Sequence, residues 1–236
     1  MAAKSQKLKA KSGISTKELL SGFSSGCTSE FQMQIVTIFR QKHYLVMTEE
    51  DIRKENEIVA RSKGDPRAFA ELYEKYFDRI YYYLLRQTDD EETAGDLCSQ
   101  TFVNALNHLS RYEFRGLPFS AWLYKIASNE VNKFYRKKKG KKIFSIEEVK
   151  VRELVERNNT DGLQDCDEEI IQRLLTYLRD LPTEMLHVLQ LRFFEDKDFK
   201  EIAFILDMTE SGAKMRTYRA LDKLRRNFNI KVKYNE

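Results

Sequence analysis

The chain has 236 residues, a net charge of +4, three cysteines and three histidines. That length holds one or two domains with a buried core, and 42% apolar against 33% charged residues describes a globular, charge-rich protein. Cys27, Cys98 and Cys166 are far apart and odd in number, which argues against a disulfide framework or a CxxC-type zinc site; His43, His108 and His187 are equally scattered, so neither metal nor cofactor is expected.

Glycine and proline are scarce, at nine and three, which disfavours a turn-rich β architecture. The predicted fold is all-α: two small helical domains joined by a flexible acidic linker, the second containing a helix-turn-helix. Residues 1–46 carry seven Lys/Arg against two acids with weak periodicity and read as an N-terminal extension. Within it, residues 31–46 fit a strand or a helix, and there is no apolar core of a signal peptide. Thr48-Glu49-Glu50-Asp51 is rich in capping residues, and the first domain is placed at 58–142. Asp65-Pro66 reads as an N-cap with proline at the first helical position. Beyond it Phe69, Leu72, Tyr73, Tyr76, Phe77, Ile80 and Leu84 recur in steps of three and four, the stripe of an amphipathic helix. A second helix over 91–109 turns Ala94, Leu97, Cys98, Phe102, Ala105 and Leu109 inward. A loop over 110–117 leads to a third helix over 118–137.

Residues 143–167 carry little apolar periodicity and many acids, and read as a linker with a short helical piece around 147–157. The second domain, 168–232, opens with Ile170, Ile171, Leu174, Leu175 and Leu178 on one helical face, broken at Leu181-Pro182; three short helices fit the remainder. No window approaches 18 consecutive apolar residues, so no membrane span is expected, and the few free thiols fit a reducing cytoplasm.

Two stretches carry functional chemistry. Residues 198–206 form a short helix, Asp207-Met208-Thr209 a tight turn, and Glu210 opens a longer helix to about Phe228. This spacing fits a DNA-binding pair whose second helix enters the major groove. At about 100° per residue, Ala213, Thr217, Ala220, Leu221, Leu224 and Phe228 form the core face, with Lys214 at its edge. Ser211, Met215, Tyr218, Arg219, Arg225 and Arg226 point away, offering cations to phosphates and guanine edges. The bland alternative is a solvated basic face on a structural helix.

The third helix of the first domain is richer. Lys125, Asn129, Asn132, Lys133 and Arg136 fall within about 100° of one another, and Phe119, Leu123, Ile126, Ala127 and Phe134 occupy the opposite arc. Trp122 lies between Asn129 and Lys133: either a platform for unpaired bases or a core residue at a domain seam. Tyr112, Phe114 and Arg115 precede the helix, and seven cations in residues 133–142 follow it as a phosphate-binding run. Glu130 falls on the inward arc without an explanation.

These segments resemble bacterial RNA polymerase sigma factors, in particular the two-domain extracytoplasmic-function group. Gly64 to Tyr73 resembles that group's opening motif, Ala94 to Phe102 its polymerase-binding helix, and Pro118 to Asn129 its promoter-melting helix. Leu181-Pro182, Leu189 to Phe193, Glu201-Ile202-Ala203 and Lys214 to Ala220 resemble its second domain, so that the likeness covers about 58–142 and 168–228. It implies no enzyme but an initiation factor that binds core RNA polymerase and promoter DNA, with an anti-sigma protein as a further partner by analogy. It assigns Asp96, Ser99, Thr101 and Phe102 to polymerase docking. Phe114, Arg115, Phe119, Trp122, Lys125, Asn129, Lys133 and Arg136 fall to the minus-ten element, and Lys200, Ser211, Lys214, Met215, Tyr218 and Arg219 to the minus-35 element. Gly95, Ser99 and Thr217 depart from the family's usual residues. A stand-alone helix-turn-helix regulator would explain the C-terminal half but not Trp122 and its neighbours. An enzyme lacks support: no P-loop, dinucleotide loop, GxSxG or HExxH occurs.

Overall fold

The computed structural model describes residues 47–88, 90–139, 151–152 and 168–232, and every regular element among them is helical. The N-terminal extension and most of the expected linker lie outside the described residues, as do the end of the basic run at 140–142 and the side chains of Ile170 and Phe228.

The first helix, α1 (Glu49–Gly64), starts at a capping box. Thr48 Oγ1 accepts from Asp51 N–H at 3.1 Å, and the Asp51 carboxylate accepts from Thr48 N–H at 2.9 Å, so two otherwise orphaned donors are satisfied reciprocally. This helix starts ahead of residue 58, where the first domain was expected to open, and it buries Glu55, Val59 and Ser62. Asp65 caps a single 3-10 turn, Pro66–Ala68, which feeds α2 (Phe69–Leu85). Phe69, Leu72, Tyr76, Ile80, Tyr83 and Leu84 are the buried stripe of α2. Tyr73, expected inward, is 40% exposed. It flanks the stripe and packs edge-on against Phe102 at 4.8 Å.

Asp90 caps α3 (Glu91–His108) by accepting from Thr93 N–H at 2.7 Å. After a 3-10 turn (Leu109–Arg111) and a loop containing Gly116 at φ +72°, α4 (Phe119–Lys138) runs to a left-handed Lys139. The N-terminus of α4 is capped from a distance, since Glu55 Oε2 accepts from Phe119 N–H at 2.8 Å. That supplies an anionic acceptor where a helix leaves its first N–H groups unmet.

The second domain contains α5 (Glu168–Arg179), α6 (Thr183–Leu189), α7 (Phe199–Ile205) and α8 (Glu210–Val232). A π-helical turn, Gln190–Phe194, prolongs α6. Ile171, Leu174, Leu175, Leu178 and Leu181 close a core with Leu186, Leu189, Ala220, Leu221 and Leu224.

The two domains are not apart. Helix α7 packs on α4, and Phe199, Ile202, Ile205 and Ala213 join the hydrophobic cluster that contains Leu123, Tyr124, Ala127 and Val131 of the first domain. Polar pairs stitch the seam. Arg86 Nη1 meets Glu195 Oε1 at 2.6 Å, and the Tyr124 hydroxyl donates to Glu195 Oε2 at 2.6 Å. Lys197 Nζ donates to Ser120 Oγ at 2.8 Å, and Tyr83 Oη lies 2.7 Å from His187 Nε2. Burial pushes the Glu195 carboxyl above its ordinary range, against the opposing pull of Arg86 and the Tyr124 hydroxyl.

Candidate nucleic-acid interface

Helix α4 buries Phe119, Leu123, Tyr124, Ala127, Val131 and Tyr135 and turns its other side outward. Asn129, Asn132, Lys133 and Arg136 are exposed there, with Trp122, Lys125 and Ile126 half-buried beside them. Together with Asn104 and His108 of α3 and with Glu130, most of this side lines an open cavity of about 600 Å³. The position of Trp122 joins the two sequence readings: its ring packs on Tyr112 at 5.0 Å and Phe119 at 5.4 Å, and the same residue forms part of the cavity wall. A side chain held between two aromatics is rigid, which suits a surface for a stacked base.

Four expected members sit differently. Phe119 is 1% exposed and belongs to the core, because it starts α4 with its ring turned onto Tyr112. Tyr112 is buried as well, and Lys63 Nζ donates to its carbonyl at 2.7 Å. Lys125 forms an ion pair with Asp207 and, like Arg115, lies over the Phe204 ring of α7, at 4.7 and 5.9 Å. The helix-turn-helix thus covers one border of the face. Phe114 stays exposed in the loop, and the cations from Lys137 to Lys139 are exposed beyond the cavity.

Glu130 has partners on both sides. Its Oε1 accepts from Asn104 Nδ2 at 3.0 Å and from Lys133 Nζ at 2.7 Å, although the residue is only 8% exposed.

In the second domain, Asp198 and Glu201 form a capping box at the start of α7, and Lys200 is exposed in its first turn. Asp207, at φ +51°, turns the chain into α8. Thr209 Oγ1 accepts from Gly212 N–H at 3.0 Å. A Cβ at Gly212 would lie 3.1 Å from that oxygen, so glycine permits the close approach. Ala213, Thr217, Ala220, Leu221 and Leu224 face the core. Thr217 is accommodated there because its hydroxyl donates to Ala213 O at 2.9 Å. Ser211, Lys214, Met215 and Arg219 are exposed on the leading turns of α8. Tyr218, expected outward, is half-buried against the second core. Arg225 and Arg226 both pair with Asp222.

On α3, Asp96 and Ser99 are exposed, whereas Thr101 and Phe102 are buried, the Thr101 hydroxyl donating to Leu97 O at 2.7 Å. These two can shape an outer surface only from beneath. Sequence reasoning missed Val103 and Leu106, apolar residues on the outer side of α3 that are 51% and 39% exposed. Their signal was available: both fall off the inward stripe of that helix.

Two family profiles match the chain, sigma-70 region 2 over residues 72–141 and sigma-70 region 4 over residues 177–226. The chain is 29% identical over 185 residues to the ECF RNA polymerase sigma factor BldN of Streptomyces coelicolor, covering 78% of this chain and 69% of that protein. It is 28% identical over 159 residues to the ECF RNA polymerase sigma factor SigM of Bacillus subtilis, covering 67% and 94%. It is 33% identical over 168 residues to the RNA polymerase sigma factor YlaC of Bacillus subtilis, covering 66% and 90%. Among solved structures, CnrH in complex with the cytosolic domain of CnrY has a similar fold, with a TM-score of 0.52 and 20% identity over 75% of this chain and 97% of that one.

Proposed function

Because the chain belongs to the extracytoplasmic-function group of RNA polymerase sigma factors, which direct the polymerase to promoters at transcription initiation, we propose a division of labour among its exposed faces. The outer side of α3, with Asp96, Ser99, Val103 and Leu106, docks on core polymerase. The leading turns of α8 enter the major groove of the minus-35 element. There Ser211, Lys214, Met215 and Arg219 reach base edges and phosphates, with Lys200 and Tyr218 at the margins. The cavity between α3 and α4 takes the non-template strand of the minus-ten element once it is unpaired. It does so with Trp122 as stacking wall, Asn129, Lys133 and Arg136 beside it, and Phe114 in the adjoining loop.

The observation that supports this reading best is Trp122, a ring fixed on two aromatics at the edge of a cavity otherwise rich in amides and cations. Stacking on an aromatic is worth roughly 1–3 kcal/mol per base, against a few kcal/mol to extrude a base from duplex. A few such contacts, with phosphate binding by the cations after Lys133, hold an opened strand without nucleotide hydrolysis. No catalytic role is assigned to the chain, and its place is the cytoplasm, with the polymerase. Among the described residues no helix is long and apolar enough to cross a membrane. The CnrH structure contains a bound cytosolic CnrY domain, and a regulatory protein of that kind is proposed here as a further partner.

Binding both elements requires the domains to part. Their centres lie about 25 base pairs apart, roughly 85 Å at about 3.4 Å per pair, whereas α7 lies directly on α4. Gel filtration of the purified protein with core RNA polymerase tests the reading. Co-elution is expected, and binding to duplex promoter DNA only when the polymerase is present. Tight, sequence-selective duplex binding without polymerase, and no co-elution, would identify a stand-alone regulator instead.

A further inference from the structure

Helix α4 has no cap of its own. Pro118 stands at the N-cap position without a side-chain hydrogen bond, and the acceptor for Phe119 N–H is Glu55 Oε2 at 2.8 Å, 64 residues earlier. Glu55 is 2% exposed, and its other oxygen takes Lys75 Nζ at 2.9 Å and the Tyr76 hydroxyl, both from α2. A local Ser, Thr or Asp would cap a helix start beside solvent, whereas a buried carboxylate needs these partners to offset its lost hydration. The remote cap therefore ties the start of α4 to α1 and α2. Near the other end of α1, Lys63 Nζ donates to Tyr112 O at 2.7 Å and lies 6.0 Å from the centre of the Tyr112 ring. Phe119 and Tyr112 are the two rings on which Trp122 packs, at 5.4 and 5.0 Å, and they meet each other at 5.2 Å. Each is thus fixed through a backbone group by α1, and so are both ends of the loop that carries Phe114 and Arg115.

We propose that Glu55 and Lys63 are positioning residues for promoter opening: from α1 they hold Phe119 and Tyr112, so that Trp122 is in place before the unpaired strand arrives. A surface that must order itself on binding loses part of each contact to that ordering, and one already fixed does not. Trp122 is half-buried, and its ring is placed by the two neighbours rather than by a hydrogen bond of its own to the first domain's core. Neither positioning residue needs to touch DNA. Glu55 is closed off from solvent, and Lys63 directs its ammonium at a backbone carbonyl. Both lie ahead of residues 72–141, the stretch that matches sigma-70 region 2, so the contribution comes from a helix outside that profile.

The inference rests on the minus-ten reading of this face, and its test separates the two. Trp122 is the single tryptophan of the chain, so intrinsic emission reports the placement of its ring. Full-length wild type, Glu55→Ala, Glu55→Gln and Lys63→Met are compared by tryptophan fluorescence and circular dichroism. The same proteins and Trp122→Ala are then compared by permanganate footprinting with core polymerase on duplex promoter. Glu55→Ala should keep its helix content and shift Trp122 emission to longer wavelength. It should open the duplex roughly two- to thirtyfold less, the range that loss of a helix cap spans. Glu55→Gln keeps an acceptor for Phe119 N–H, and should return the emission to the wild-type wavelength and opening to within about threefold of wild type. Lys63→Met keeps the stem of an exposed side chain but loses the donor to Tyr112 O, and should shift emission and lower opening in the same direction. If Glu55→Ala fails to fold, Lys63→Met decides by the same two readouts. Unchanged emission and normal opening in these variants, with Trp122→Ala defective, overturn the proposal and leave the minus-ten reading standing. A loss of opening without the emission shift, a shift without the loss, or a loss that Glu55→Gln does not recover overturns it as well. Normal opening by Trp122→Ala overturns the minus-ten reading and the proposal with it.

Discussion

Replacing Glu195 by alanine removes the acid on which the seam between the domains converges. Its carboxylate lies 2.6 Å from Arg86 and takes the Tyr124 hydroxyl at 2.6 Å, and the Arg86 and Glu195 side chains are 7% and 6% exposed. Deleting one member of a buried ion pair costs roughly 3–5 kcal/mol, because the remaining charge keeps its desolvation penalty. Arg86 and Tyr124 belong to the first domain and Glu195 to the second, so Arg86 regains water as soon as the domains separate. The cost therefore falls on the docked arrangement and not on the fold of either domain. At about 1.4 kcal/mol per factor of ten, the balance moves toward separated domains by between about a hundredfold and a few thousandfold. Small-angle X-ray scattering should show a larger radius of gyration for Glu195→Ala, with helix content by circular dichroism unchanged. The double variant Arg86→Met, Glu195→Met should stay compact, since an apolar pair of similar volume can replace a buried ion pair. A wild-type scattering profile for Glu195→Ala, or loss of helix content in place of expansion, would refute the idea that this pair holds the domains together.

Asp96→Arg should weaken co-elution with core polymerase without lowering the melting temperature, because Asp96 is exposed on the outer side of α3; unchanged co-elution would remove that helix from the docking surface. Arg219→Ala should cost about 1–3 kcal/mol and relax preference at one base pair of the minus-35 element. Lys223→Ala, further along α8, should act less and evenly, as measured by competition with promoter variants. Burial holds the Cys98 thiol up at about 12, with the charge of Asp78 adding to it. In a Cys27→Ser, Cys166→Ser background it should therefore stay protonated and unreactive toward a disulfide reagent at pH 8, and react only when the protein is unfolded.

The helices were legible because each buries one stripe: Leu72, Tyr76 and Ile80 in α2, Ala94, Cys98 and Ala105 in α3, and Ala213, Ala220 and Leu224 in α8 repeat at helical spacing. The helix-turn-helix was legible from the same periodicity and the tight turn at Asp207. Docking of the domains was not. Glu195 stands in an acidic stretch that reads as a solvated turn, and the partner that buries it, Arg86, is 109 residues earlier in the chain. Tyr83 and His187 likewise belong to no local pattern that announces a seam. Glu55 escaped notice because it lies ahead of the expected domain boundary, although it caps α4. Phe119 shows the limit of motif matching: its place in the promoter-melting motif suggested DNA contact, while its place on the helical wheel pointed to the core, where it lies.

Opening of the promoter is the step that separates a sigma factor from a simple DNA-binding protein, and Trp122 is where it is most directly measured. Permanganate footprinting of unpaired thymines is carried out with core polymerase and either wild-type protein, Trp122→Ala or Asn129→Ala, first on duplex promoter and then on a template pre-melted across the minus-ten element. The wild type should open the duplex. Trp122→Ala should open it about fivefold to 150-fold less, given roughly 1–3 kcal/mol per stacked base, Asn129→Ala should also open it less, and the pre-melted template should restore transcription to near the wild-type level. Normal opening by Trp122→Ala, with only a lowered melting temperature from the loss of its packing on Tyr112 and Phe119, would make this face structural and contradict the account.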